Sequence, residues 1–199
     1  MTTASTDVRR ILVGLFVALA AWGGPGHAVN CCNVIYEYHN TLLDHYFLAI
    51  LPAEIAEIDG GKAGPGWVRT GETLITEDYA LYNYGNRVSR FYGSNDIGPN
   101  SHFFTIVRAE SQMLRQIEAN TPAGVPKWHF ESFNFPAVVF GPTGCQYPDI
   151  YRAPVYRLYN NGVARGIDPN HRYAKRQKVV DEMVAKGWVF EGPVFCVLQ

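Results

Sequence analysis

The chain lacks most of the features that announce a familiar activity. It carries 17 basic against 18 acidic residues, a formal net charge of −1 over 199 residues. That balance argues against a nucleic-acid binder, whose phosphate contacts call for a basic footprint, and supplies no attraction to an anionic membrane surface. Its longest apolar run, at 11–24, falls short of the roughly 20 residues that a spanning helix needs and ends in glycines and Pro25. No strand–turn–helix elbow centred on serine is present, and "GPTGC" at 141–145 has no nucleophilic serine. No glycine-rich loop stands between a strand and a helix to cradle phosphates. Of the four cysteines, none clusters with histidines at metal-ligand spacing, and the vicinal Cys31 and Cys32 are weak support for zinc. No metal and no cofactor are expected.

What is there begins with an export signal. Arg9 and Arg10 precede the apolar run, and "PGHA" places Gly26 and Ala28 at the minus-three and minus-one positions of a cleavage site. Residues 1–28 read as a secretory signal peptide, leaving 29–199 as one domain of ordinary size without a transmembrane segment, secreted or periplasmic. Export permits disulfides, although spacing alone does not set connectivity. The preferred pair is Cys145 with Cys196, one before the opening strand of the last third of the chain and the other in its closing strand. Ordinary geometry disfavours a bond between Cys31 and Cys32, which leaves one candidate for another partner and one for a free or intermolecular thiol.

The mature chain reads as one unit written three times, at about 34–80, 87–141 and 154–199. Each copy runs strand, strand, short helix, strand, strand. Alternating aromatic and β-branched residues mark the strands. Pro52 opens the first helix, Met113, Leu114 and Ile117 make one face of the second, and Gly187 closes the third. Aligning the copies groups Tyr38, Tyr92 and Tyr159; then His45, His102 and His171; then Trp67, Trp128 and Trp188. Asp44, Ser101 and Asn170 precede the histidines and suit turns. One such unit cannot bury its own apolar face, whereas three can share a core and close their sheet edges. The expected fold is β-rich, between all-β and α+β: a pseudo-threefold, β-trefoil-like domain of twelve strands with the stretch 141–154 as an ordered linker. The alternative is a set of small three- or four-stranded sheets, each packing one helix.

Among the repeated residues, tryptophans suit anchoring under the helices, and tyrosines suit burial of the ring with the hydroxyl bonded at the rim. The histidines suit bracing of their hairpins. They also suit a shallow sugar site in each copy, with His45, His102, His171, Tyr38, Tyr92, Tyr159, Asp44 and Asn170 as candidate ligand-binding residues. Convergence of the three imidazoles on a metal would need a geometry that triplication does not guarantee. No catalytic residue is assigned. Glu54 and Glu110 start helices, where the dipole favours a carboxylate, and nothing sets Glu72 or Glu191 at a glycosidase separation from a second carboxylate.

The motifs "EYHNTLLDHYFL", "GWVRTGE", "RFYG" followed by "SHFFT", "APVYRLYN", "NHRY" and "GWVFEG" resemble secreted repeats of the family called domain of unknown function 5648, over essentially 34–197. The resemblance implies an extracellular accessory domain without established activity. Relatives often carry cysteines where this chain has Ser89 and Ser111, which implies a bridge in those relatives that this protein does without; Cys145 and Cys196 match the family's closing cysteines. The expected function is non-catalytic binding of carbohydrate or cell-envelope material. The alternatives are an extracellular hydrolase of polysaccharide or ester, and a structural partner-binding domain.

Overall fold

The computed structural model describes residues 32–78, 86–93, 98–146 and 151–199. The expected signal peptide and Cys31 lie outside them. The first segment comprises β1 (Cys32–Asn40), β2 (His45–Ala49), helix α1 (Pro52–Asp59) and β3 (Trp67–Glu77). The second comprises β4 (Arg87–Gly93), β5 (Ser101–Thr105), α2 (Arg108–Asn120) and β6 (Trp128–Pro136). A small hairpin, β7 (Val138–Gly141) and β8 (Gly144–Cys145), follows. The third segment has β9 (Arg152–Tyr159), the one-turn helix α3 (Gly162–Arg165), β10 (His171–Ala174), α4 (Gln177–Ala185) and β11 (Val189–Leu198).

Within each segment the first strand lies between the other two, giving the orders β2-β1-β3, β5-β4-β6 and β10-β9-β11, all antiparallel. β3 and β11 join edge to edge, so the first and third segments form a single sheet, β10-β9-β11-β3-β1-β2, curled as a half-barrel with β7 attached to β11. The second segment keeps a sheet of its own. The architecture is thus β-rich, with three helices each placed between the second and third strand of a segment.

Two expectations change. The third and fourth pieces of the first and last copies are single strands, β3 and β11, which removes two of the twelve expected strands, while the added strand β8 brings the count among the described residues to eleven. Each third strand carries a register shift against the first strand. A bulge bends a strand without ending its pairing, and Gly71 and Gly192 take the positive φ values of 86° and 96° that it needs there. The stretch 141–154 is also more than a linker, because its start forms the β7–β8 turn. Cys145 in that turn is bonded to Cys196 in β11, with Cα atoms 5.8 Å apart, as expected. Cys32 is disulfide-bonded too, so it is not a free thiol.

The helices follow from local chemistry. Pro52 occupies the first turn of α1, where its missing N–H is no loss. α4 ends in a Schellman motif: Gly187, at φ 87°, donates its N–H to the Val184 carbonyl at 2.9 Å, and Trp188 donates to Met183 at 3.1 Å. Trp188 and Met183 then pack in a buried cluster with Leu158, Val179 and Val180, which is the anchoring role expected of that tryptophan. The main core takes Ile35, Phe47 and Leu74 from the first segment, Val88, Phe104 and Phe135 from the second, and Val155, Tyr173 and Phe195 from the third. No segment owns it. Ser89 and Ser111 do meet, oxygen to oxygen at 2.9 Å, in the buried space between β4 and α2.

Removing the Cys145–Cys196 bond with the double variant C145S/C196S should lower the unfolding free energy by about 4 kcal/mol, from the loop entropy of the 51-residue separation. Urea titration against the parent in oxidising buffer measures this. Glu37→Ala should cost about 3–5 kcal/mol by stranding the buried Arg172 charge, read in the same titration.

Candidate functional site

The three short strands β2, β5 and β10 meet where the segments adjoin, and hairpin register decides what each brings there. Tyr92 lies opposite His102, and Tyr159 opposite His171. In the first segment His39 lies opposite Tyr46, and His45 falls opposite Asn40. The residue in register with His102 and His171 is therefore Tyr46, one step from His45, and His39 rather than Tyr38 matches the tyrosines. Ring stacking follows this corrected register: His39 on Tyr46 at 4.5 Å, Tyr92 on His102 at 4.6 Å, and Tyr159 on His171 at 5.1 Å. Each hairpin carries one imidazole–phenol stack, inverted in the first.

Those stacks continue across the junctions. Phe47 of β2 contacts the His102 ring at 4.6 Å, and Phe103 of β5 contacts His171 at 4.9 Å. At the third junction the Arg172 guanidinium lies 4.2 Å over the Tyr46 ring.

Charge pairs run alongside. Arg90 reaches Glu54 in the first turn of α1 at 2.7 Å and Glu131 at 2.9 Å, while His102 stands 3.4 Å from Glu131. Arg157 holds Glu110 in the first turn of α2 with both terminal nitrogens at 3.0 Å and Glu191 at 2.7 Å, and His171 stands 3.5 Å from Glu191. The dipole expectation for Glu54 and Glu110 is therefore secondary to pairing with an arginine of the next segment. The third junction reverses the polarity: Glu37 is on the first strand, and Arg172 on β10 meets it at 2.7 and 3.0 Å. Arg176 binds Glu72 nearby.

Between the first two segments lies a cleft of about 530 Å³. Phe47, Trp67, Tyr92 and His102 supply ring surface to it, and Asn40, His45, Glu54, Glu57, Asn100 and Asn170 supply polar groups. A buried polar knot closes its inner end. Asn170 accepts the Tyr46 N–H at 2.8 Å and donates to the Ser101 hydroxyl at 2.8 Å. His45, buried beside it, is held below the ordinary imidazole range by desolvation, against the opposing pull of the Asn100 and Asp168 carbonyls. His45 Nδ1 and Glu54 Oε2 are buried without a hydrogen-bond partner among the described residues.

Of the candidate binding residues, His45, His102, Tyr92 and Asn170 line this one cleft. The others do not join them. Tyr38 is buried, with its hydroxyl donating to Asp59 at 2.9 Å. Tyr159 accepts the Val163 N–H through its hydroxyl, His171 faces Glu191, and Asp44 sits in an exposed turn 3.0 Å from His39. His45, His102, Tyr92 and Asn170 thus share one cleft at a junction between segments. Among the described residues, no three His, Cys, Asp or Glu side chains stand close enough to hold a metal. Sequence reading missed Glu131, Arg90 and Arg157. A signal existed, since Glu131 and Glu191 each fall three residues after the repeated tryptophans Trp128 and Trp188.

The chain belongs to the family described as Domain of unknown function (DUF5648), which matches residues 52–198, from α1 to the end of β11. No curated protein and no solved structure matches the chain.

Burial and the Arg157 charge lower the His171 imidazole to about 3, so in the folded protein it stays neutral near Glu191. The unfolded chain titrates it near 6.5. Its contribution to stability is complete above about pH 6.5 and declines as pH falls toward 3, because the unfolded state takes up a proton that the folded state refuses. His171→Gln should flatten the loss of stability between pH 6 and 4, as measured by urea midpoints at each pH.

Proposed function

We propose that this protein is an exported, non-catalytic module that binds a cell-envelope glycan in the cleft between its first two segments. The observation that carries this reading is the meeting, in one cleft, of aromatic faces with polar side chains. A sugar presents an apolar face and a rim of hydroxyls, so Trp67, Phe47 and Tyr92 suit the face, and the polar side chains of Glu54, Glu57 and Asn100 suit the hydroxyls. The pseudo-threefold, trefoil-like reading of the fold is kept as part of the proposal, supported by the shared strand order of the segments and by the recurrence of stacks and ion pairs at the junctions. Binding is favoured over hydrolysis because the two carboxylates lining the cleft, Glu54 and Glu57, lie three residues apart on one helix, whereas a glycosidase flanks its bond with two.

The test is a glycan array followed by calorimetry on the best ligand. Trp67→Ala and Glu54→Gln should each weaken binding by about tenfold or more, since losing one stacked ring or one buried hydrogen bond is worth about 1–3 kcal/mol. The distant, exposed Phe190→Ala should leave binding intact. Absence of binding to any envelope glycan, or equal affinity of all three variants with the parent, would refute the proposal.

A further inference from the structure

The cleft between the first two segments has an apolar lip that the fold itself does not require. Asn40 builds the turn between β1 and β2: its amide donates to the Pro65 carbonyl at 3.0 Å, and its Oδ1 accepts the N–H groups of Leu42 and Leu43 at 3.0 and 3.1 Å. Thr41 donates its N–H to the Gly66 carbonyl at 2.9 Å, and Asp44 closes the turn at φ 54°. Asn160 does the same work in the third segment, accepting the Gly162 and Asn170 N–H groups at 2.9 and 3.0 Å and donating to the Asp168 carbonyl at 2.8 Å. None of these bonds uses a leucine side chain, and turns favour Gly, Pro, Asn, Asp and Ser. Yet Leu42 and Leu43 are 69% and 41% exposed, and both line the cleft.

One exposed leucine is ordinary. Two in succession at the mouth of a cleft form a contact surface. The loop before β3 holds them there: a Cβ on Gly66 would fall 2.9 Å from Leu42 Cγ and 2.6 Å from Asn40 Oδ1, so glycine is what allows the approach. A turn fixed in advance spares a ligand the cost of ordering it. The same cleft presents the rings of Trp67 and Phe47 and the carboxylates of Glu54 and Glu57, and among the described residues no Lys or Arg lines it. A sugar bearing only hydroxyls has nothing to place on two leucines, and an acidic sugar would meet carboxylates of its own sign. An N-acyl amino sugar supplies a methyl for the leucines and an amide N–H for a carboxylate.

We infer that this cleft selects N-acylated amino sugars, with Leu42 and Leu43 as the residues that read the acyl group. The inference rests on the cleft being a sugar site and names the sugar. Calorimetry with chitotetraose, its fully deacetylated counterpart and cellotetraose compares three chains that differ only in the group on the second ring carbon: acetamido, amine or hydroxyl. Chitotetraose should bind about tenfold or more tighter than either of the others, since a methyl-sized contact in an apolar pocket is worth about 10–200-fold. The double variant L42S/L43S should weaken chitotetraose binding by about tenfold and erase that preference, with an unchanged melting temperature because both positions are exposed. The comparison of the three ligands on the parent protein needs no variant. The inference is overturned if the parent binds cellotetraose or the deacetylated chain as tightly as chitotetraose, if it binds none of the three, or if L42S/L43S keeps the preference. Binding of other glycans on an array while these three fail would sink the acyl selectivity alone, whereas an array without any binding sinks the sugar reading with it.

Discussion

The structure depends on buried guanidinium groups placed where one segment leans on the next. Arg157 and Arg172 are both largely out of water, and each is held by glutamates from beyond its own strand. A charge in that setting is tolerable only with its partner present. Each pair therefore does more than add a contact: it makes the fold of one segment conditional on the position of another. Burial would raise the Glu110 and Glu131 carboxyls, yet the hydrogen bonds and charges of Arg157, or of His102 and Arg90, hold both below their ordinary range. The apolar core has the same collective character, since Phe104, Tyr173 and Phe195 come from two segments and pack ring against ring.

From this interlocking follows the place of the cleft. The short strands must approach closely enough for Tyr173 to donate its hydroxyl to the Phe104 carbonyl at 2.7 Å and to accept the Phe104 N–H at 2.8 Å. Their outer ends and the loop after α1 do not close equally well. The gap is lined by whatever the hairpins present there, which in this chain is aromatic on one side and amide and carboxylate on the other. Sites at junctions between packed units are a common place for ligands.

Strand alternation, the three helices, the core-facing tryptophan of α4 and the Cys145–Cys196 bond were legible because each rests on a local rule: period, cap, or position near a strand end. Register was not. His45 precedes a tyrosine where His102 and His171 precede a phenylalanine and an arginine, and a one-residue offset exchanges the two faces of a strand. Aligning letters placed three histidines together, whereas the backbone places Tyr46 with His102 and His171. The merged strands were also hidden, because a glycine in a strand reads as an end when its partner strand is unknown, and Gly71 and Gly192 serve as bends. Pairing across segments, as between Arg90 and Glu54, has no local signature at all.

The reversed polarity of the third junction bears on fidelity of assembly. Were all three junctions alike, any segment could dock on any other, including that of a neighbouring molecule, with the same ion pair. Here β1 offers Glu37 where β4 and β9 offer Arg90 and Arg157. Docked on α2, β1 would set Glu37 against Glu110, and docked on β10, β4 would set Arg90 against Arg172. Like charges forced together out of water penalise each exchange. The ion pair between β1 and β10 thus differs in sense from those made by β4 and β9, and an exchange of one for another would bring like charges together.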